Sequence, residues 1–190
     1  MAVIDRVLVG EALVIEDRAD GSGLDLLNVA HIDLIMGPRG SYAEQAFCRT
    51  LTDQKDGANG LLAITAPNMM TKPATVMFNK VTIKNGKQAV QMFGPAQRGV
   101  SMAVMDCVAD GTIPKEEAED VFICVGVFID RKADDDKRVQ DWNYRATKQA
   151  IKSAIAHEPR VETVLKEYKD TVHPFQAKWW CFWMKILISR

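Results

Sequence analysis

The sequence predicts one domain of mixed α/β class, and three observations lead there. Apolar, β-branched runs of strand length recur at Val3 to Val9, Val29 to Met36, Leu61 to Ala66, Thr75 to Ile83 and Val121 to Ile129. Between them lie stretches whose apolar residues fall at helical spacing. At 190 residues and 47% hydrophobic content, the chain can bury one substantial core.

The elements follow in chain order. Val3 to Val9, with Glu11 to Ile15, reads as one strand or as two broken near Gly10. Residues 16–25 are charged and glycine-rich, so they predict an exposed loop. The next run ends at Gly37-Pro38-Arg39-Gly40, because proline cannot donate to a ladder. Ser41 and Glu44 then form the S-x-x-E start of a helix whose stripe is Ala43, Ala46, Phe47 and Leu51. Gly57 to Gly60 is a turn, and Pro67 stops the strand from Leu61 to Ala66. The strand from Thr75 to Ile83 precedes an Asn85-Gly86 turn and a short helix over 87–93. Gly94-Pro95 predicts a second turn, followed by a helix with Val100, Ala103, Val104, Cys107 and Val108 buried and Gly111 as its stop. Pro114 opens a short acidic helix. Val121 to Ile129 is apolar throughout, as a central strand buried on both faces would be. A last helix runs from about Asp141 to Ala156, with Trp142, Ala146, Ala150 and Ala154 inward.

Composition narrows the function. A formal net charge of -1 leaves no basic footprint for nucleic acid. Cys48, Cys107, Cys124 and Cys181 form no C-x-x-C pair, which points to neither a zinc site nor a disulfide framework and fits a reducing, cytoplasmic compartment. Asp134-Asp135-Asp136 reads as a solvated loop, since no further ligand pattern accompanies it; no metal is expected. No stretch is long and apolar enough to span a bilayer. Lys178 to Arg190 holds three of the four tryptophans. This tail packs on a neighbouring subunit, touches a membrane surface, or adds nothing to catalysis.

The chemistry centres on His31 and Asp33. Two apart in a strand, they share a face inside an otherwise apolar run. A carboxylate favours the imidazolium while burial opposes it, which suits a proton-exchanging histidine; a core histidine satisfied by aspartate is the simpler reading. Lys80 and Thr82 repeat the arrangement on a second strand, suggesting a shared polar pocket, with a surface-edge lysine as the simpler alternative. The helix start beside Arg39 offers an anion seat or merely a connection with a solvated arginine.

Long runs of the text resemble one family. They are Val9-Gly10-Glu11-Ala12-Leu13, Ala30-His31-Ile32-Asp33-Leu34-Ile35, Gly37-Pro38-Arg39-Gly40-Ser41 and Ala66-Pro67-Asn68. Met77 to Ile83, Gln88 to Gln97, Val125 to Ile129, Asn143-Tyr144, Ala146-Thr147-Lys148 and His173-Pro174-Phe175 continue the match. The chain resembles the formaldehyde-activating enzymes, which join formaldehyde to tetrahydromethanopterin in one-carbon metabolism. The resemblance implies a ribosomal-protein-S5-domain-2-like two-layer sandwich over residues 1–177, with 178–190 as an extra tail. It implies a homopentamer with active sites between subunits, and tetrahydromethanopterin as co-substrate. The general acid falls on His31, and pterin-site positions fall on Asp33, Leu62, Lys80, Thr82 and Gln97. Departures from the family text are the long 15–28 loop, Arg98 in place of histidine, and Asp130-Arg131 in place of His-Trp. A non-catalytic pterin or formaldehyde-adduct carrier or sensor is the alternative function, and an imine on Lys80 the alternative chemistry.

Overall fold

The computed structural model describes residues 2–18 and 20–173. The expected 177/178 boundary and the tryptophan tail lie outside the described residues. A five-stranded sheet is built from β1 (Leu8–Val14), β2 (Ala30–Pro38), β3 (Gly60–Leu62), β6 (Ala74–Asn79) and β7 (Val121–Val127), in the order β1-β2-β7-β6-β3. The β6–β7 pair is parallel and the rest are antiparallel. A two-stranded ladder joins β4 (Ile64–Ala66) to β5 (Met69–Met70). The helices are α1 (Tyr42–Thr52), α2 (Gly86–Gln91), α3 (Gln97–Ala109) and α4 (Asp136–Ala156), the mixed α/β class expected. This body closes at Glu158, and α5 (Val161–Glu167) belongs to a second unit beginning at Pro159.

Strand alternation sorts the sheet's two faces. Ala30, Ile32, Leu34 and Met36 of β2 join Met77, Ile123, Val125 and Val127 in the main core, against Val100 and Val104 of α3 and Trp142, Ala146 and Ala150 of α4. These make the sheet-and-helix sandwich. Small residues along α4 let its backbone lie close to β1: a Cβ at Gly10 would sit 2.2 Å from the Ala150 carbonyl oxygen. Gly10 therefore marks a close approach, and β1 runs through it unbroken. On the opposite face α1 covers only part of the sheet, packing Phe47 on Val76 and Cys124. Phe47 and Phe122 meet edge to face at 5.1 Å.

Several expected boundaries shift for local reasons. Gly94-Pro95 makes no turn; α2 passes through a π-helical segment, Met92–Ala96, into α3. Pro95 has no N–H to give, so the helix widens rather than breaks, and Met92 and Ala96 stay in the core. The strand expected from Leu61 to Ala66 divides at Ala63 into β3 and β4. The strand expected to reach Ile83 ends at Asn79, whose side-chain amide donates to the carbonyls of Gly57 and Val81 and bends the chain away. The α1 start uses Ser41 as its cap, but Glu44 accepts from Gly40 N–H rather than from Ser41.

The aspartates also find structural work. Asp135 caps α4, Asp134 accepts from Asn28, and Asp136 accepts from Gln91. Asp25, expected in an exposed loop, is buried and bound by Arg138 at 2.8 Å. Burial pushes its carboxyl up, but hydrogen bonds from Asn28, Leu27 and Arg138 outweigh that and hold it low. Arg39 is engaged by Asp120 at 3.2 Å and Glu44 at 3.7 Å, so it is not a free cation beside the α1 N-terminus.

Candidate active site

The part of the second face that α1 leaves open carries the polar residues. On β2, His31 and Asp33 point to this side, the face opposite Ile32 and Leu34. The register sets Leu13 across from His31 and Glu11 across from Asp33. Lys80 follows β6 directly, and its N–H continues the pairing by donating to Val127 O at 2.9 Å. His31 is therefore flanked by β1 on one side and by Lys80 on the other.

Four charged or titratable groups converge here. The His31 Nε2 lies 3.0 Å from a Glu11 carboxylate oxygen and 3.6 Å from Asp33. Its Nδ1 lies 3.3 Å from Lys80 Nζ. Lys80 Nζ also contacts the second Asp33 oxygen at 2.5 Å. The setting is not the apolar one expected for the histidine–aspartate pair. His31 is about one third exposed and Asp33 about half, at 32% and 53%. Lys80 is the best shielded of the group at 20%.

Gly126 lets Lys80 reach across. It lies between Asp33 and Phe78 in the strand register. A Cβ there would meet the Phe78 ring at 3.0 and 3.1 Å and Lys80 Cγ at 3.2 Å. Its missing side chain thus forms the floor over which the lysine stem crosses β7.

The other expected residues stand apart within one chain. Thr82 is exposed beyond the end of β6, with its methyl against Gly57, where a Cβ would lie 2.5 Å from it. Leu62 packs beside Phe47, Val76 and Cys124. It is three strands from β2, about 14 Å at ordinary strand spacing. Gln97 is buried at the start of α3, its side-chain oxygen accepting from Ile64 N–H at 3.4 Å. The structure brings together His31, Asp33 and Lys80, and sets Leu62 and Gln97 apart from them.

Comparison with known proteins fits this arrangement to a family. The sequence profile described as formaldehyde-activating enzyme (Fae) matches residues 9–176. The chain belongs to the formaldehyde-activating enzyme family. It is 49% identical over 170 residues to the 5,6,7,8-tetrahydromethanopterin hydro-lyase of Methanosarcina barkeri, covering 90% of each chain. It is 42% identical over 165 residues to the bifunctional enzyme Fae/Hps of Methanosarcina mazei, covering 87% of this chain and 40% of that one. The bifunctional enzyme Fae/Hps of Archaeoglobus fulgidus is 42% identical over 170 residues, 90% of this chain and 41% of its own length.

Two members of this candidate site were not visible to sequence reasoning. Glu11 was hidden because its place opposite Asp33 depends on the β1–β2 register across a long loop. Its solvent-side position in an alternating strand was the available signal. Gly126 was the one residue without a side chain in the apolar run Val121 to Ile129. The departures from the family text are mostly framework. The 15–28 loop is fastened to α4 by Asp25–Arg138 and Glu16–Arg145 contacts. Asp130 accepts from Lys132 N–H, and Arg131 O accepts from Asn85. Arg98 is exposed and lines a shallow groove with Asp106, Asp141 and Tyr144. The Cys124 thiol, on the site's face of the sheet, is pushed by burial up to about 12 and stays protonated.

Proposed function

We propose that this chain condenses formaldehyde with tetrahydromethanopterin, giving methylene-tetrahydromethanopterin and water, as a carbon–oxygen hydro-lyase of one-carbon metabolism and formaldehyde detoxification. Family membership supports the reaction. The observation that carries the mechanism is the histidine suspended between a carboxylate and an ammonium on an uncovered stretch of sheet.

A pterin amine attacks formaldehyde and forms a carbinolamine. Its hydroxyl needs a proton to leave as water, and His31 is the general acid, a role typically worth about 10²–10⁴-fold. The second pterin nitrogen then closes the methylene bridge. This condensation also proceeds without a catalyst, so holding the two reactants together supplies much of the remaining acceleration. Asp33, Lys80, Thr82 and Gln97 bind the pterin through hydrogen bonds, and Leu62 packs on its ring.

Those residues divide into separate groups within one chain, which supports a site completed by a neighbouring copy in a homopentamer. Exposed Val9, Tyr42 and Phe93 offer apolar surface for such contacts. Free Cys107 and Cys124 suit a reducing cytoplasm.

The test mixes purified protein with formaldehyde and tetrahydromethanopterin and follows methylene-pterin absorbance against the spontaneous rate. A rate well above background that depends on His31 is expected. Pterin binding with only the background rate would favour a carrier or sensor. Sedimentation of the full chain tests the pentamer.

A further inference from the structure

We propose that Glu11 and Lys80 hold His31 in the tautomer protonated at Nε2, making the imidazole a two-sided relay that passes its Nε2 proton to the departing hydroxyl while Nδ1 takes a proton from Lys80. This deepens the reading above and rests on it for the identity of the hydroxyl. The tautomer itself follows from the geometry alone.

An ammonium has donors and no acceptor, so the 3.3 Å contact of Lys80 Nζ with Nδ1 requires a lone pair on that nitrogen. A carboxylate only accepts, so the 3.0 Å contact of Glu11 with Nε2 requires a proton there. The two contacts select the same neutral tautomer independently. An imidazolium would instead aim an N–H at the lysine ammonium, whose Nζ lies 2.5 Å from an Asp33 oxygen.

This arrangement has a consequence for acid catalysis. A neutral imidazole that gave up its only N–H proton would be left as an anion. The relay avoids that. The carbinolamine C–O bond breaks, its electron pair leaves on oxygen, and that oxygen takes the Nε2 proton and departs as water. Nδ1 simultaneously takes a proton from Lys80, leaving a neutral amine and a carbon in an iminium. The second pterin nitrogen attacks that carbon, the proton it releases goes to Nε2, and Nδ1 hands its proton back to the Lys80 amine, which restores the starting tautomer. The cycle gains and loses no net proton, as the overall reaction requires.

The two partners differ in how firmly they are held. Glu11 lies on the edge strand β1 with its side chain 60% exposed, whereas Lys80 is 20% exposed, tied to Asp33 and laid across Gly126. Glu11 is the arm that swings aside when the ligand takes its place at Nε2. It is a positioning residue, and Lys80 is the proton source.

The experiment is ¹⁵N NMR of the full-length chain with labelled histidine, assigned through His31→Gln, alongside kinetics of Glu11→Gln and Lys80→Met. The expected wild-type spectrum has His31 protonated at Nε2, and Lys80→Met weakens that preference while leaving the Glu11 contact to maintain part of it. Lys80→Met is expected to lower kcat about a hundredfold, with KM for the pterin raised as well because Lys80 also binds it, and Glu11→Gln to lower kcat about three- to tenfold, in line with general acid catalysis. A wild-type His31 protonated at Nδ1 would overturn the relay. So would a Lys80→Met enzyme that keeps its kcat and only raises its KM for the pterin. Absent turnover of tetrahydromethanopterin by the wild type would overturn the functional reading instead, while the tautomer spectrum would still decide the arrangement. Thermal unfolding of each variant separates these outcomes from misfolding.

Discussion

Gly126→Ala tests whether the floor of the site positions the lysine. The added methyl would lie 3.0–3.2 Å from atoms of Phe78 and Lys80. Carbon contacts relax at about 3.5–4.0 Å, so each neighbour must retreat by roughly 0.5 Å. The 3.3 Å contact between Lys80 and His31 is already long, and such a retreat breaks it. The tighter 2.5 Å contact with Asp33 survives. A hydrogen bond to a charged group contributes about 1.5–3 kcal/mol, and about 1.4 kcal/mol is tenfold in rate. The expected result is a kcat lowered about tenfold to a hundredfold. The fold should tolerate the change. Alanine in a strand gains about 0.5–1 kcal/mol over glycine, offsetting crowding that falls on flexible side-chain ends. The melting temperature should therefore move by only a few degrees. Methylene-pterin absorbance, corrected for the spontaneous rate, gives kcat. A folded Gly126→Ala enzyme with kcat within a factor of two of wild type would refute the reasoning.

Three further outcomes are expected. His31→Ala should lower the enzymatic rate about 10²–10⁴-fold with an unchanged circular dichroism spectrum, because the side chain is partly exposed and outside the main core. Gly10→Ala should destabilise by about 1–3 kcal/mol or more, since the 2.2 Å approach is to the Ala150 backbone oxygen and not to a side chain that can move; a lowered urea midpoint at constant slope would register it. Asp25 has its carboxyl held below the ordinary 3.8, so its contribution to stability is present above that pH and is lost as pH falls through the folded value. Asp25→Ala should cost about 1–3 kcal/mol at pH 7, less than a fully buried pair because Arg138 keeps some solvent and Asp135, and should flatten the loss of stability below pH 4 in acid titration.

Much of the site's face was readable in the text because a strand has a period of two. That period put His31 beside Asp33 and Lys80 on the matching side of its own strand, and the structure brings these three together. The same rule failed at Thr82, because it assumes the strand continues. Asn79 ends β6 with side-chain hydrogen bonds that no periodicity reports. Helix reading failed at Gly94-Pro95 for the opposite reason. The local turn signal was overruled by tertiary burial of Met92 and Ala96, and a π-helical segment absorbed the proline. Glu11 needed the register of two strands separated by a long loop, and register is a property of pairing rather than of either strand. The distance between Leu62 and His31 likewise depended on strand order, which puts β6 and β7 between β3 and β2.

Strand order also explains why an acid can sit on an otherwise packed sheet. β7 is central, and its other side faces the main core with Ile123, Val125 and Val127. On the open side, Phe122 and Cys124 lie under α1, and the next residue on that side is Gly126. A large apolar residue there would extend the covered layer and bar Lys80 from Asp33. Glycine instead ends the apolar cover at the row where Glu11 and Asp33 face each other. The polar cluster thus borders the core without entering it. His31 keeps enough solvent to exchange protons, while Lys80 is shielded enough to hold its place. Catalysis by positioning and proton transfer needs both conditions, and one missing side chain on the central strand supplies the boundary between them.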